Sequence, residues 1–232
     1  MDINFTKEMP PLFRMEIIIN TDKIQMKMRD FVLPDNNEAE FIEIASRLNI
    51  KKLFFLYDFN SCDMDKLQKK TESLENKKIS IEAGFIVSHK NIDKALKHSR
   101  LVVAKSSDSD RILVESKKIS IIYGFEESHR KDYMHQRASG LNHIICELAG
   151  KNNVAVGFSY SSLFNKKPET SSLIMGRMMQ NIALCRKYKV KTAIASFAPS
   201  PYELRAPHDI ASMFAVLGMD RKKVKESLTF SL

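Results

Sequence analysis

Val154-Ala155-Val156-Gly157-Phe158-Ser159 and Thr192-Ala193-Ile194-Ala195-Ser196-Phe197 flank a long periodic segment from Glu169 to Tyr188. Each short apolar run reads as a strand buried on both faces of a parallel sheet. Between them Ile174, Met178, Ile182 and Cys185 recur at steps of three and four, which places them on one face of a helix of about five turns. A polar turn with Asn165, Lys166, Lys167 and Pro168 separates the first strand from that helix. After the second strand come Ala198 to Asp209 and an apolar helix from Ile210 to Leu217, closed by Gly218. Two parallel strands joined through a helix make a βαβ unit, and the expectation for the chain is a repeat of it.

The pattern extends towards the N-terminus. Asp30 to Pro34 reads as a first strand, with Asp35 or Asn36 capping a helix whose apolar face carries Phe41, Ile44, Ala45 and Leu48. Lys52–Tyr57, Ile79–Val87, Leu101–Ala104 and Ile119–Gly124 read as strands, and Asn91–His98, Asp110–Glu115 and Gly140–Ala149 as helices. The last of these is expected to turn Leu141, Ile144, Ile145 and Leu148 to one side. Met64 to Leu74 is a lysine-rich helix or a long loop, and residues 1–28 stand outside the repeat as an extension with room for one extra strand. About seven alternations result, without a Gly-, Pro- or Ser-rich linker, so residues 29–232 are expected to form one domain. Periodicity alone fits either a closed barrel or an open doubly wound sheet.

Composition narrows the class. With 44% hydrophobic and 28% charged residues the chain has an ordinary globular balance. The N-terminal residues show neither an apolar signal core nor an Arg-rich leader, and no run reaches the ~18 apolar residues of a membrane span. A cytoplasmic protein without a membrane partner is expected. Cys62, Cys146 and Cys185 are far apart and form no Cys-x-x-Cys pair, so reduced core thiols are expected. A net charge of +9 favours a polyanionic partner, although a lysine-rich solvated surface produces the same number.

The segment Leu204-Arg205-Ala206-Pro207-His208-Asp209, followed by a helix ending in Leu217-Gly218-Met219, resembles the archaeal and eukaryotic RNase P protein component 3 family. Arg137-Ala138-Ser139-Gly140-Leu141-Asn142-His143 and Lys151-Asn152-Asn153-Val154-Ala155-Val156-Gly157-Phe158 are similar to the same family. The resemblance spans roughly Arg111 to Gly218. It implies an irregular TIM-like barrel of about seven parallel strands, related to that of the polymerase and histidinol phosphatase superfamily. It further implies a non-catalytic subunit of the ribonucleoprotein that matures precursor tRNA at its 5′ end. In that assembly a catalytic RNA performs the hydrolysis with magnesium, and a small RNase P protein of RRM-like fold is a partner.

Candidate RNA-binding residues are Arg111, Arg130, Lys131, Arg137 and Arg205 in the loops after the strands, together with Lys151 and Lys187 at helix ends. Long cationic side chains at such positions neutralise phosphates without reading bases. Cations in a last helical turn also complement the helix dipole, so Lys187 and its neighbours have a purely structural explanation as well. No catalytic residue and no metal ligand set is expected in the chain. The six histidines, His89, His98, His129, His135, His143 and His208, are scattered, and no His-x-His accompanies the first strand. Two competing readings remain: a divergent metal-dependent phosphoesterase of that superfamily, and a barrel that binds a small phosphorylated metabolite.

Overall fold

The computed structural model describes residues 29–64, 67, 79–128, 131–135, 137–164 and 166–230. The expected extension, residues 1–28, and nearly all of the stretch from Met64 to Leu74 lie outside these. In chain order the elements are β1 (Arg29–Val32), α1 (Glu38–Arg47), β2 (Lys52–Asp58), β3 (Ser80–Val87), α2 (Ile92–Ala95), β4 (Val102–Lys105), α3 (Asp110–Glu115) and β5 (Ile121–Tyr123). There follow α4 (His143–Asn152), β6 (Ala155–Ser159), α5 (Pro168–Lys187), β7 (Thr192–Ala195), α6 (Pro207–Val216) and α7 (Arg221–Leu228). The strands lie side by side in chain order, every neighbouring pair parallel. The sheet curls until Val32 meets Ala198 in a parallel bridge, and the Leu33 amide donates to the Ala198 carbonyl at 2.8 Å. The α/β, TIM-like barrel expected from the sequence is therefore the fold.

Closure at this seam depends on one side chain. Asp30 Oδ1 accepts the Ser196 amide at 2.6 Å and the Phe31 amide at 2.9 Å, while Ser196 Oγ donates to the Phe31 carbonyl at 3.3 Å. A carboxylate thus serves as acceptor where the last strand has no regular ladder partner. Asp30 is fully buried, and burial pushes its pKa up to about 6, against the opposing hydrogen bonds from Ser196 and Phe31.

Alternation along the strands sends Phe31, Phe54, Val103, Ile121, Tyr123, Ala155, Ala193, Ala195 and Phe197 into the lumen. Four of the rings stack across it. Phe54 lies 4.8 Å from Phe31, Phe31 is 5.5 Å from Phe197, and Phe197 is 4.3 Å from Tyr123, all within 13° of parallel. Two backbone features make this column possible. Phe197 adopts a left-handed conformation, φ 47°, that a bulky residue ordinarily avoids. Gly157 leaves the space beside it, since a Cβ there would stand 2.8 Å from both Ile121 and Tyr123. At the other mouth Phe230 packs against the lumen cluster, and Arg29 Nη1 donates to its carbonyl at 3.1 Å. The opposite faces of the strands meet the helices in two further apolar clusters, which hold Phe41, Phe55, Cys146, Ile182, Cys185 and Phe214.

Three local expectations need correction. Asn37, not Asp35 or Asn36, is the N-cap of α1, because Asn36 takes a left-handed φ of 58°; Ile42 joins Phe41 and Ala45 on the buried face, while Ile44 and Leu48 are only partly covered. The helix expected from Gly140 starts at His143. Gly140, at φ 78°, passes over the Phe125 carbonyl, where a Cβ would stand 2.5 Å away, and the Asn142 side chain then caps α4 by accepting the Ile145 amide at 2.9 Å. Its buried face is Ile145, Cys146 and Ala149, with Ile144 exposed. Finally, α7 follows Gly218 where no helix was expected.

Asp30 supplies the first testable consequence. Its folded-state pKa of about 6 lies above the ordinary 3.8, so the unfolded chain ionises first and stability falls as pH rises from about 4 through 6. Asp30→Asn keeps the acceptor and removes the charge: its melting temperature should match or exceed the parent's at pH 7.5 and lose that part of the pH dependence. Asp30→Ala strands the Ser196 amide and should cost about 1–3 kcal/mol at either pH. Thermal melts at pH 4.5 and 7.5 compare the three proteins.

Candidate nucleic-acid interface

The loops that follow the strands converge on one mouth of the barrel, and most cations there are already engaged. Arg111 opens α3 and pairs with Glu115 at 2.8 Å. Lys105 and Lys166 both reach Glu127, at 3.2 and 4.0 Å. Arg205 donates to the carbonyls of Tyr202 and Leu204 at 2.8 and 2.7 Å and lies 4.5 Å above the Phe164 ring, so it ties down the loop after β7. Lys131 is exposed in the loop after β5, and Arg130 lies outside the described residues.

Arg137 belongs to a clamp built around a residue that sequence reasoning missed. Arg177 sits on the core-facing side of α5 and is only 2% exposed. Its guanidinium holds Asp132 Oδ1 through Nε and Nη2, both at 2.9 Å, and donates to the carbonyls of Ser128 at 2.5 Å and Glu126 at 3.2 Å. Asp132 also accepts the Ala138 amide at 2.9 Å and meets Arg137 at 3.5 Å. Burial alone would raise the Asp132 pKa, but the Ala138 amide and the two arginines outweigh it and hold the carboxyl below its ordinary value. Gln180 completes the clamp by donating to the Arg137 carbonyl at 3.0 Å and to Ser139 Oγ at 2.8 Å. Gln180 thereby pins the backbone before α4 to α5. The pattern Ile174-Arg177-Met178-Asn181-Ile182 contained the signal, since it puts two polar residues on the apolar face.

Beneath the clamp Glu126 is fully buried, and the amides of Glu126 and Ser159 approach its carboxylate without reaching full hydrogen-bond geometry. Burial drives its pKa up to about 7; the amides of Glu126 and Ser159 and the Lys166 ammonium oppose the rise, and Glu127 adds to it.

The other end of the barrel has a different electrostatic character. Here α4 carries Lys151 in its last turn, α5 ends and exits through Arg186, Lys187, Lys189 and Lys191, and α7 begins Arg221-Lys222-Lys223-Val224-Lys225, all these cations being exposed. The elements are adjacent. The Tyr188 carbonyl lies 3.5 Å from where a Gly150 Cβ would stand, and Thr192 Oγ1 and Ser227 Oγ, 2.5 Å apart, join the start of β7 to α7. Among the described residues of this group only Lys223 has a carboxylate within ion-pair distance, Glu226 at 2.8 Å. Glu147 and Asp220 are the other acids nearby on these elements.

Helix energetics explain only part of this charge. Cations ending α4 and α5 complement the dipole, but Arg221, Lys222 and Lys223 occupy the first turn of α7, which contains no acid. Each is then unfavourable by roughly 0.3–1 kcal/mol at low salt. The Lys/Arg run was visible in the sequence, but it lies beyond the segment that carried the resemblance. Of the seven candidate residues, therefore, Arg111, Lys131, Arg137 and Arg205 lie on the loop side, Lys151 and Lys187 at the opposite end, and Arg130 outside the described residues.

Among the described residues no three His, Cys, Asp or Glu side chains converge in a way that could hold a metal ion. His98 packs beside Phe59 and Phe85, His208 lies near Asp209, and His135 and His143 are exposed; His129 lies outside the described residues. No helix among the described residues is long and apolar enough to cross a membrane.

With a parallel barrel and a basic face that is largely unpaired among the described residues established, comparison with known proteins is direct. The family model described as RNase P subunit p30 matches residues 35–231. The chain belongs to this family. It is 34% identical over 121 residues to the ribonuclease P protein component 3 of Thermococcus gammatolerans, a match covering 52% of this chain and 53% of the relative, so the chain spans about half of that protein's length. Against the component 3 of Methanothermobacter thermautotrophicus it is 26% identical over 221 residues, covering 89% of this chain and 87% of the relative. A chain in a cryo-EM structure of archaeal ribonuclease P with mature tRNA superposes with a TM-score of 0.71 at 20% identity, covering 86% of this chain and 87% of that one, a likeness of fold.

The clamp of this RNase P subunit p30 family member can be tested directly. Arg177→Ala leaves Asp132 without its buried partner and should destabilise the protein by about 3–5 kcal/mol. Gln180→Asp should lower the melting temperature less, through the Arg137–Ser139 loop, whereas Ile182→Asp should prevent folding. Glu126→Gln should raise stability at pH 8 and flatten its decline between pH 5 and 8, because a pKa raised to about 7 makes ionisation unfavourable in the folded state as pH climbs. Denaturant melts at those pH values check all four.

Proposed function

We propose that this chain is a protein subunit of ribonuclease P that supports 5′ maturation of precursor tRNA by binding and stabilising the catalytic RNA, and that it performs none of the bond breaking itself. The observation that carries the reading is the uncompensated basic face formed by the ends of α4 and α5 and the start of α7. Cations already neutralised by carboxylates release few counterions when RNA arrives, whereas free ones release about one each. That favours Lys151, Arg186, Lys187, Lys189, Lys191, Arg221, Lys222 and Lys225 as phosphate contacts. Arg137 and Arg205 are then loop-holding residues first, and Arg111 is engaged by Glu115 one turn along α3. Family membership supports the assignment to ribonuclease P, and the stacked rings of Phe31, Phe54, Tyr123 and Phe197 occupy the lumen of the described barrel.

Magnesium, in this reading, serves the RNA. A small RNase P protein of RRM-like fold is the proposed protein partner. Apolar area for such a contact exists away from the basic face: Tyr133 and Met134 project from the clamped loop at 76% and 92% exposure, and Met175 and Met179 are exposed on α5.

The experiment is reconstituted precursor-tRNA cleavage across a magnesium series, beside RNA binding across a potassium series. Replacing Lys187, Lys189 and Lys222 together by Ala should leave the fold intact and reduce the salt slope of binding by roughly one per lost phosphate contact. Cleavage should fall at low magnesium and recover at high magnesium. Arg111→Ala should change both measurements little. A greater effect from Arg111→Ala, or a loss of cleavage at every magnesium concentration, overturns the assignment.

A further inference from the structure

The basic face contains a cleft with its own chemistry. It opens between the end of α5 and the start of α7 and encloses about 280 Å³. That is close to the lower end of small-ligand cavities, which begin near ~300 Å³, and suits one planar ring system rather than a stacked pair. Its floor is apolar, formed by Ile182, Val190 and Met219, and its rim carries Arg186, Lys189 and Lys223. At one side stands Asp220, the N-cap of α7, whose carboxylate makes no capping bond and has no partner among the described residues. Arg186 and Lys189 are likewise without a carboxylate partner among the described residues. The cleft therefore combines an apolar slot, cations for a phosphate and a lone acceptor for N–H groups.

Resting on the RNA-binding reading above, we infer that this cleft receives a single unstacked nucleotide, its base on the apolar floor and its phosphate against Arg186, Lys189 and Lys223. Asp220 selects among bases. A carboxylate accepts from the exocyclic amino groups of adenine or cytosine and faces only carbonyls at the matching positions of uracil. A hydrogen bond to a charged group supports about a tenfold preference for the amino bases. The lining contains no aromatic residue, so the base is held by burial and edge contacts rather than by the ring stacking usual for single strands. The same chemistry suits a nucleotide of an RNA loop and a free nucleoside monophosphate, and the test separates them.

The probe is a short single-stranded RNA carrying one 2-aminopurine, titrated with the 232-residue chain. Emission should rise as the base leaves its stack and enters a cleft free of aromatic quenchers. AMP and CMP should displace the probe at about tenfold lower concentration than UMP, and inorganic phosphate should compete worst. Asp220→Asn retains a good N-cap and should bring AMP and UMP within about twofold of each other without lowering the melting temperature. RNA that binds with unchanged emission, or inorganic phosphate that competes as well as AMP, overturns the cleft. Failure of the RNA-interface reading gives a different result: Lys222→Glu with Lys225→Glu leaves RNA affinity unchanged while AMP still shifts the backbone amide NMR signals of Gly218 and Asp220, which identifies a free nucleotide as the ligand.

Discussion

The stack of Phe54, Phe31, Phe197 and Tyr123 across the lumen is the constraint on which the barrel depends. A seven-stranded parallel sheet that curls on itself must fill its interior, and the small residues Ala155, Gly157, Ala193 and Ala195 on the last two strands cannot do so. The rings supply that volume, and strain is accepted to place them. Phe197 holds a left-handed backbone just where β7 ends, and the same turn aims the Ser196 amide at Asp30 and the Ala198 carbonyl at Leu33. Packing and closure are thus one arrangement: the residue that completes the column lies between the two that close the seam.

This arrangement shapes function by what it occupies. In a parallel barrel the strand ends at one mouth are the usual place for polar groups to converge. Here that mouth is packed with rings, bordered by loops where most of the described cations, such as Lys105, Lys166, Arg137 and Arg205, are held by carboxylates and carbonyls. Arg177 is the extreme case, a fully desolvated guanidinium whose donors serve Asp132 and the backbone of the loop after β5. Through these contacts Arg177 fixes the described residues Glu126, Ser128, Asp132 and, by way of Asp132, Ala138 against α5. The unpaired charge gathers instead at the opposite end, where α7 carries its first-turn cations against the direction its own dipole favours.

Much of the scaffold was legible in the chain. Apolar runs of four to eight residues, interrupted by three-and-four periodic segments, identified the strands, and α5 emerged with its buried Ile174, Met178, Ile182 and Cys185. The misread elements have local causes. Gly140 looked like part of an apolar helix because periodicity ignores backbone sign, yet its position over the Phe125 carbonyl requires a positive φ. Ile144 and Leu148 fitted a helical stripe, but a cap at Asn142 rotated the register that α4 presents to the sheet. Helix α7 has few apolar residues, and Val224 and Leu228 do not reveal a buried face until β7 is beside them.

By itself the sequence determined the repeated strand-helix order, the excess of positive charge and the motif segments that mark the family, because each is a property of neighbouring residues or of their sum. Only the tertiary structure decided which charges are free. Arg111 finds Glu115 one helical turn away, but Arg137 looks the same along the chain as Lys187 and Lys189 and differs from them in the loop fold that brings Asp132 within reach. Asp132 and Arg177 are 45 residues apart, and Asp30 and Ser196 are 166 apart. Interactions over such separations carry no periodic signal, since they arise from the curvature that brings the last strand back to the first.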